Sequence, residues 1–186
     1  MSILNQSYKD FILLIINDGD NPTPQEILGI EHPNLRYFNL DKNHGRYFCD
    51  AVAITANPYE FYLPHDSDDI SNLNRLYYLM VGQKQTKADV VYNYQEVVNR
   101  NGRTIKELYP LVRHKQYNRM LHLAHWSMLY KTEVLRNIGG AHPDFRVGYD
   151  TLITNLVKFN YQISGIPRIL YTRYIRNNSL TATRAT

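Results

Sequence analysis

The sequence predicts an α/β fold with a mixed, mainly parallel central sheet flanked by helices, and three observations lead there. Apolar, strand-like runs alternate with amphipathic helical stretches through the N-terminal half. The carboxylates Asp66, Asp68 and Asp69 follow directly on one of those strand-like runs, the end at which open parallel sheets hold their ligands. A chain of 186 residues, 44% hydrophobic and 20% charged, suits one compact domain rather than a disordered or fibrous protein.

Composition narrows the function classes. Cys49 is the only cysteine, so an intrachain disulfide and a cysteine-based zinc site are both excluded. Lys and Arg number 21 against 17 Asp and Glu, a net charge of +4 spread along the chain, and nucleic acid is not an expected partner. The longest uninterrupted apolar run, Phe11 to Ile16, is far shorter than the roughly 18 to 20 residues of a membrane span. The N-terminus also lacks the pattern of a secretory signal. A cytoplasmic or membrane-peripheral protein is therefore expected. Tyrosine is abundant, at 16 residues, which serves strand packing or a sugar or base platform.

Taken in order, Phe11 to Ile16 reads as a buried strand that ends in the turn formers Asn17-Asp18-Gly19-Asp20. Thr23-Pro24-Gln25-Glu26 has the form of a capping box with proline at the first helical position, opening a short helix to about Gly29. Leu35 to Leu40 is the second strand. Arg46 to Ala56 is a helix with Phe48, Val52 and Ala56 on its apolar stripe. Tyr59 to Leu63 is a strand running into the acidic cluster, and Leu73, Leu76, Leu79 and Met80 mark a helix to about Gly82. Asn101-Gly102 predicts a hairpin between Ala88 to Val98 and the segment after Arg103. Leu121 to Tyr130 is strand-like, and Lys131 to Ile138 is a helix closed by Gly139. Tyr149 to Asn160 is a helix with Leu152, Leu156 and Phe159 on one stripe. Ile163 to Tyr174 is a strand that Pro167 assigns to an edge or a bulge.

The acidic cluster is the main candidate for chemistry. Adjacent carboxylates repel one another unless a cation or a polar network satisfies them, and in Asp66-Ser67-Asp68-Asp69 the alternatives are a divalent metal site and a helix N-cap. An EF-hand does not fit, because Ser71 and Tyr77 stand where its glycine and glutamate belong. Asp18 closes the first strand at the same expected edge, as a nucleotide contact or an Asx turn. Arg46 opens a helix and offers a fork to phosphate oxygens. Asp150 starts another helix, where a carboxylate caps the dipole or serves as a general base. His122 and His125, three apart on a strand, would point to opposite faces, which argues against zinc.

Several blocks together resemble the family 2 glycosyltransferases of the GT-A, Rossmann-like fold. They are S-I-L-N-Q-S-Y-K-D-F-I-L-L-I-I-N-D-G-D, then Y-E-F-Y-L-P-H-D-S-D-D followed by N-R-L, then S-M-L-Y-K-T-E-V-L-R-N-I-G-G-A-H-P-D-F-R-V-G-Y-D, and the closing L-Y-T-R-Y-I-R-N-N-S-L-T. They occur in the family's order and cover nearly the whole chain. The resemblance implies a single domain over 1–186, with a nucleotide-sugar half (1–82) and an acceptor half (83–186). It implies that Asp18 holds the uracil ring, that Arg46 lies near the donor diphosphate, and that Asp66 and Asp68 form a D-x-D touching ribose and metal. Asp150 would be the base of an inverting displacement. The implied cofactor is Mn²⁺ or Mg²⁺, the donor a nucleoside-diphosphate sugar, uridine-linked, and the acceptor a glycan or other hydroxyl, as for a hexosyltransferase.

Three departures accompany the resemblance. The family's first strand and its P-x-[YF]-N turn have no counterpart here, which predicts a gap beside the central strand. Asn17 replaces the first acidic residue of the family's D-D-G-S, and Tyr149 precedes Asp150 where the family favours an acidic pair. The alternative reading is a truncated or degenerate protein of the same fold that binds nucleotide or glycan without turnover.

Overall fold

A computed structural model describes residues 2–99, 102–108, 111–112, 120–121, 123–145 and 148–175. β1 (Leu13–Asn17) pairs in parallel with β2 (Leu35–Asn39) across the short helix α1 (Pro24–Leu28). α1 begins with the expected capping box: the Glu26 N–H donates to Thr23 Oγ1, and the Thr23 N–H donates to the Glu26 carboxylate at 2.7 Å. Then come α2 (Arg46–Ala56), β3 (Phe61–Tyr62), β4 (Ile70–Ser71) and α3 (Arg75–Thr86). β5 (Val90–Val98) and β6 (Thr104–Leu108) form the expected hairpin. β7 (Leu111–Val112) and β8 (Met120–Leu121) make a separate antiparallel pair. A 3₁₀ turn at His125–Ser127 leads into β9 (Met128–Lys131), followed by α4 (Thr132–Asn137), α5 (Tyr149–Asn160) and β10 (Ile163–Tyr174).

The central sheet runs β3-β9-β5-β10-β4, with β6 beside the second half of β5. Its class is the expected mixed α/β, but the pairing is not mainly parallel. β5–β10 is parallel, whereas β3–β9, β5–β9, β5–β6 and β10–β4 are antiparallel. The reason is β9, which inserts between β3 and β5 and runs against both, so two strands joined through a helix are not sheet neighbours. Among the described residues no ladder joins the β1–β2 pair to the six-stranded sheet.

Side-chain alternation along β5 and β9 divides the core into two layers. Val90, Met128 and Tyr130 pack with Tyr47 and Ile54 of α2, Val134 and Leu135 of α4, and Ile153 and Val157 of α5. Val91 and Leu129 face the other way, toward Leu79 of α3. The sheet is thus covered on both faces.

Several sequence expectations are corrected. β1 is half-exposed rather than buried, with Leu14 at 39% exposure, because among the described residues β2 alone flanks it in a ladder. α2 and α5 have the expected bounds but bury other stripes. Tyr47 and Ile54 turn inward on α2, and Tyr149, Ile153 and Val157 on α5, while Phe159 is 76% exposed. Pro167 marks a bulge, with register shifts after Ile166 and Ile169, but β10 is a central strand between β5 and β4. Part of the strand expected over Leu121 to Tyr130 is the 3₁₀ turn. His122 and the end of the C-terminal block lie outside the described residues.

Candidate active site

The first turn of α2 is the point where the predicted site residues meet. The Asp18 carboxylate, at the C-terminal end of β1, accepts backbone N–H bonds from His44 at 2.7 Å and Gly45 at 2.9 Å. This contact requires the glycine of Asn17-Asp18-Gly19. Gly19 has φ +85°, and a Cβ there would lie 2.6 Å from the Asn43 backbone nitrogen. Buried Asn17 closes the turn by bonding the backbone of Asp20 through both ends of its amide. Asp18 therefore fixes the entry to α2, and Arg46 is the first residue of that helix.

Arg46 reaches from α2 to the acidic loop after β3, with its Nη2 2.9 Å from Asp66 Oδ1. Its Nε lies 3.7 Å from Asp50, one turn along the same helix. On the next residue, the Tyr47 hydroxyl donates to Asp150 Oδ1 at 3.3 Å, tying the start of α5 to the same turn. Burial opposes the charge on Arg46, but Asp66, Asp50 and Asp150 around it hold its pKa above the ordinary value. The structure thus brings together Asp18, Arg46, Asp66 and Asp150, drawn from four separate parts of the chain.

The three carboxylates of the cluster divide the work. Asp69 is buried and structural: its Oδ2 accepts the Tyr171 hydroxyl at 2.7 Å and its Oδ1 the Tyr174 N–H at 2.9 Å, which pins the loop to β10. The Tyr171 hydroxyl also accepts the Asp66 N–H at 3.3 Å. The helix-cap alternative does not hold, because β4 intervenes and α3 starts only at Arg75. Burial raises the pKa of Asp66; Arg46 opposes the shift and Asp68 adds to it. Asp68 is half-buried beside them. Asp66 and Asp68 offer hard carboxylate oxygens, a donor set that fits Mg²⁺ or Mn²⁺ completed by diphosphate and water. No group of three or more His, Cys, Asp or Glu residues able to hold a metal alone is found among the described residues.

Sequence reasoning missed three contributors. Asp50 is 14% exposed, accepts the Tyr62 hydroxyl at 3.1 Å and has its pKa raised by burial. Its signal was present, four residues after Arg46 on one helix face. Arg75, fully buried, supports the acidic loop from beneath. It donates to Asn93 and Ser71 and to the Trp126 carbonyl, and its guanidinium lies 4.5 Å over the Tyr171 ring. Burial lowers its pKa to about 10. The third is Trp126, half-buried, with the guanidinium of Arg46 at 5.9 Å and that of Arg173 at 5.0 Å. Arg75 stands in the N-R-L of the second family block, where the sequence assigns it no role, and nothing local in the sequence points to Trp126. Cys49 is half-buried with its thiol pushed up to about 12 by burial and by Asp18, as suits packing rather than reactivity.

The comparisons with known proteins bear on the fold and the family. The chain is 31% identical over 147 residues to the O-antigen biosynthesis glycosyltransferase WbnJ of Escherichia coli, a match covering 72% of this chain and 55% of that protein. It superposes on the S. aureus TarS 1–349 complex with UDP-GlcNAc with a TM-score of 0.80 at 21% identity, covering 100% of this chain and 56% of the other. For the TarS 1–349 complex with UDP the TM-score is 0.79 at 21% identity, over 95% of this chain and 55% of the other. No family model matches the sequence. The chain therefore has a family 2 glycosyltransferase-like fold of the GT-A kind, and its similar sequence is that of a glycosyltransferase. It spans about half the length of the relatives it matches.

Proposed function

We propose that the chain binds a nucleoside-diphosphate sugar, uridine-linked, and transfers its sugar to a hydroxyl of a glycan or similar acceptor with inversion. The observation carrying this reading is the convergence of Arg46, Asp66 and Asp150 about one helix turn. The TarS complexes contain UDP and UDP-GlcNAc, which favours the same donor class. In this reading residues 1–82 supply the donor side and 83–186 the acceptor side.

Asp18 lies against the backbone of residues 44–45 and would receive the base. Arg46 exchanges its pairing with Asp66 for the donor phosphates, because a guanidinium fork serves either anion. Asp66 and Asp68 would hold the divalent cation, which supplies neutralising charge for the departing diphosphate. Asp150 accepts the proton of the attacking hydroxyl, and the Tyr47 hydroxyl fixes its orientation.

Turnover is tested by incubating UDP-hexoses with hydroxyl acceptors and following UDP release. Asp150→Asn should retain donor binding and lower transfer by about 10²-fold or more. Transfer at the wild-type rate in that variant would reject Asp150 as the base. Donor binding without transfer by the wild type, across acceptors, would favour a binding protein of the same fold.

A further inference from the structure

We propose that Trp126 is the platform on which the pyranose ring of the donor stacks, an inference that rests on the function proposed above. Every other residue from Leu123 to Tyr130 is buried, and Trp126 alone stands half-open. Its turn is held from all sides. Ser127 bonds back to the Ala124 carbonyl, the His125 ring meets the Tyr130 hydroxyl at 2.8 Å, and buried Arg75 donates to the Trp126 carbonyl. The indole N–H itself donates to Gln95 Oε1 at 2.5 Å. The ring is thus a large apolar face with a fixed orientation, the economical way to order a ligand because little side-chain freedom is left to lose.

Its position selects the sugar over the base. The 3₁₀ turn packs against α5, whose first turn carries Asp150, and the ring neighbours Arg46, which holds Asp66. The turn that carries Trp126 thus neighbours both the arginine assigned to the leaving diphosphate and the helix that carries the residue assigned to the acceptor proton, the two groups between which the transferred ring reacts. Asp18, assigned to the base, meets α2 from the β1 side instead. The guanidiniums of Arg46 and Arg173 lie over the ring, at 5.9 and 5.0 Å from its centre, and the C–H face of a neutral pyranose takes the place of Arg46 there when that arginine turns to the donor phosphates.

The experiment compares UDP with a panel of UDP-glucose, UDP-galactose and UDP-GlcNAc by calorimetry on wild type, Trp126→Ala and Trp126→Phe. Wild type should bind one UDP-hexose more tightly than UDP. Trp126→Ala should keep UDP affinity within about twofold and lose about tenfold for that hexose, with partial recovery in Trp126→Phe. Because Trp126 is the chain's only tryptophan, the UDP-hexose should also change wild-type indole emission more than UDP does. Equal losses for UDP and UDP-hexose would show a ring that only props the arginines, and would overturn the proposal. So would a wild type that binds no UDP-hexose more tightly than UDP. Absence of any UDP binding by wild type would remove the donor site and this inference with it.

Discussion

His125 shows how burial at a single residue sets a pH limit on the whole chain. It is 1% exposed, and burial lowers its pKa to about 3, with the Arg46 charge adding to the effect. His65, beside the acidic loop, is lowered to about 4 for the same primary reason. An unfolded histidine takes up its proton near pH 6.5, so the stability these residues contribute is present above that pH and is lost as pH falls toward 4 and 3. Asp50, Asp66 and Asp69, raised by burial, act with the opposite sign and favour folding as pH falls. Replacing His125 isolates one term. His125→Phe should narrow the stability difference between pH 7 and pH 5 by about 2 kcal/mol, read from denaturant unfolding at the two pH values. An unchanged difference would mean that His125 titrates normally in the folded chain.

At the scale of elements, the Gln6 side chain ties the N-terminal segment to the start of α3. Gln6 is fully buried; its Oε1 accepts the Leu76 N–H at 2.9 Å and its Nε2 donates to the carbonyls of Asn72 and Ser2. It satisfies backbone groups at the start of a helix whose Asn74 cap makes no side-chain bond. Gln6→Ala removes the partner of the Leu76 N–H, while the Asn72 carbonyl keeps its bond from the Arg75 N–H, and should cost about 1 to 3 kcal/mol in chemical denaturation. Element existence was legible where a local code specifies it. The capping box at Thr23 to Glu26, the bounds of Arg46 to Ala56 and the acidic loop after β3 all rest on near neighbours in sequence. The roles of Gln6, Arg75 and Trp126 were not legible, because most of their partners lie tens of residues away; Gln6 and Arg75 stand within the quoted family blocks, which say nothing of what they bond. The stripes of α2 and α5 were misread for a related reason: both faces carry apolar residues, and the placement of β9 decides which one is covered.

For the molecule as a whole, the division of the β-structure has a dynamic consequence. β5 has β10 on one edge and β9 and β6 on the other, with buried residues along its length. Among the described residues β1 has only β2, and both strands carry exposed apolar residues such as Leu14 and Phe38. Amides of β1 and β2 should therefore exchange with deuterium well before those of β5 and β10, since opening them exposes less buried surface. Equal protection would show that the pair is part of the same cooperative unit. Because Asp18 at the end of β1 fixes the entry to α2, UDP binding should slow exchange in β1.

The most direct test of the central claim, a donor site assembled around the first turn of α2, is calorimetric titration of UDP with Mn²⁺ and then with EDTA, on wild type and Asp68→Asn. The account predicts saturable binding by wild type that EDTA weakens, and loss of that metal dependence in Asp68→Asn with the fold intact by circular dichroism. No UDP binding in either condition would contradict it and reduce the glycosyltransferase reading to one of fold alone, and unchanged Mn²⁺ dependence in Asp68→Asn would overturn the metal assignment.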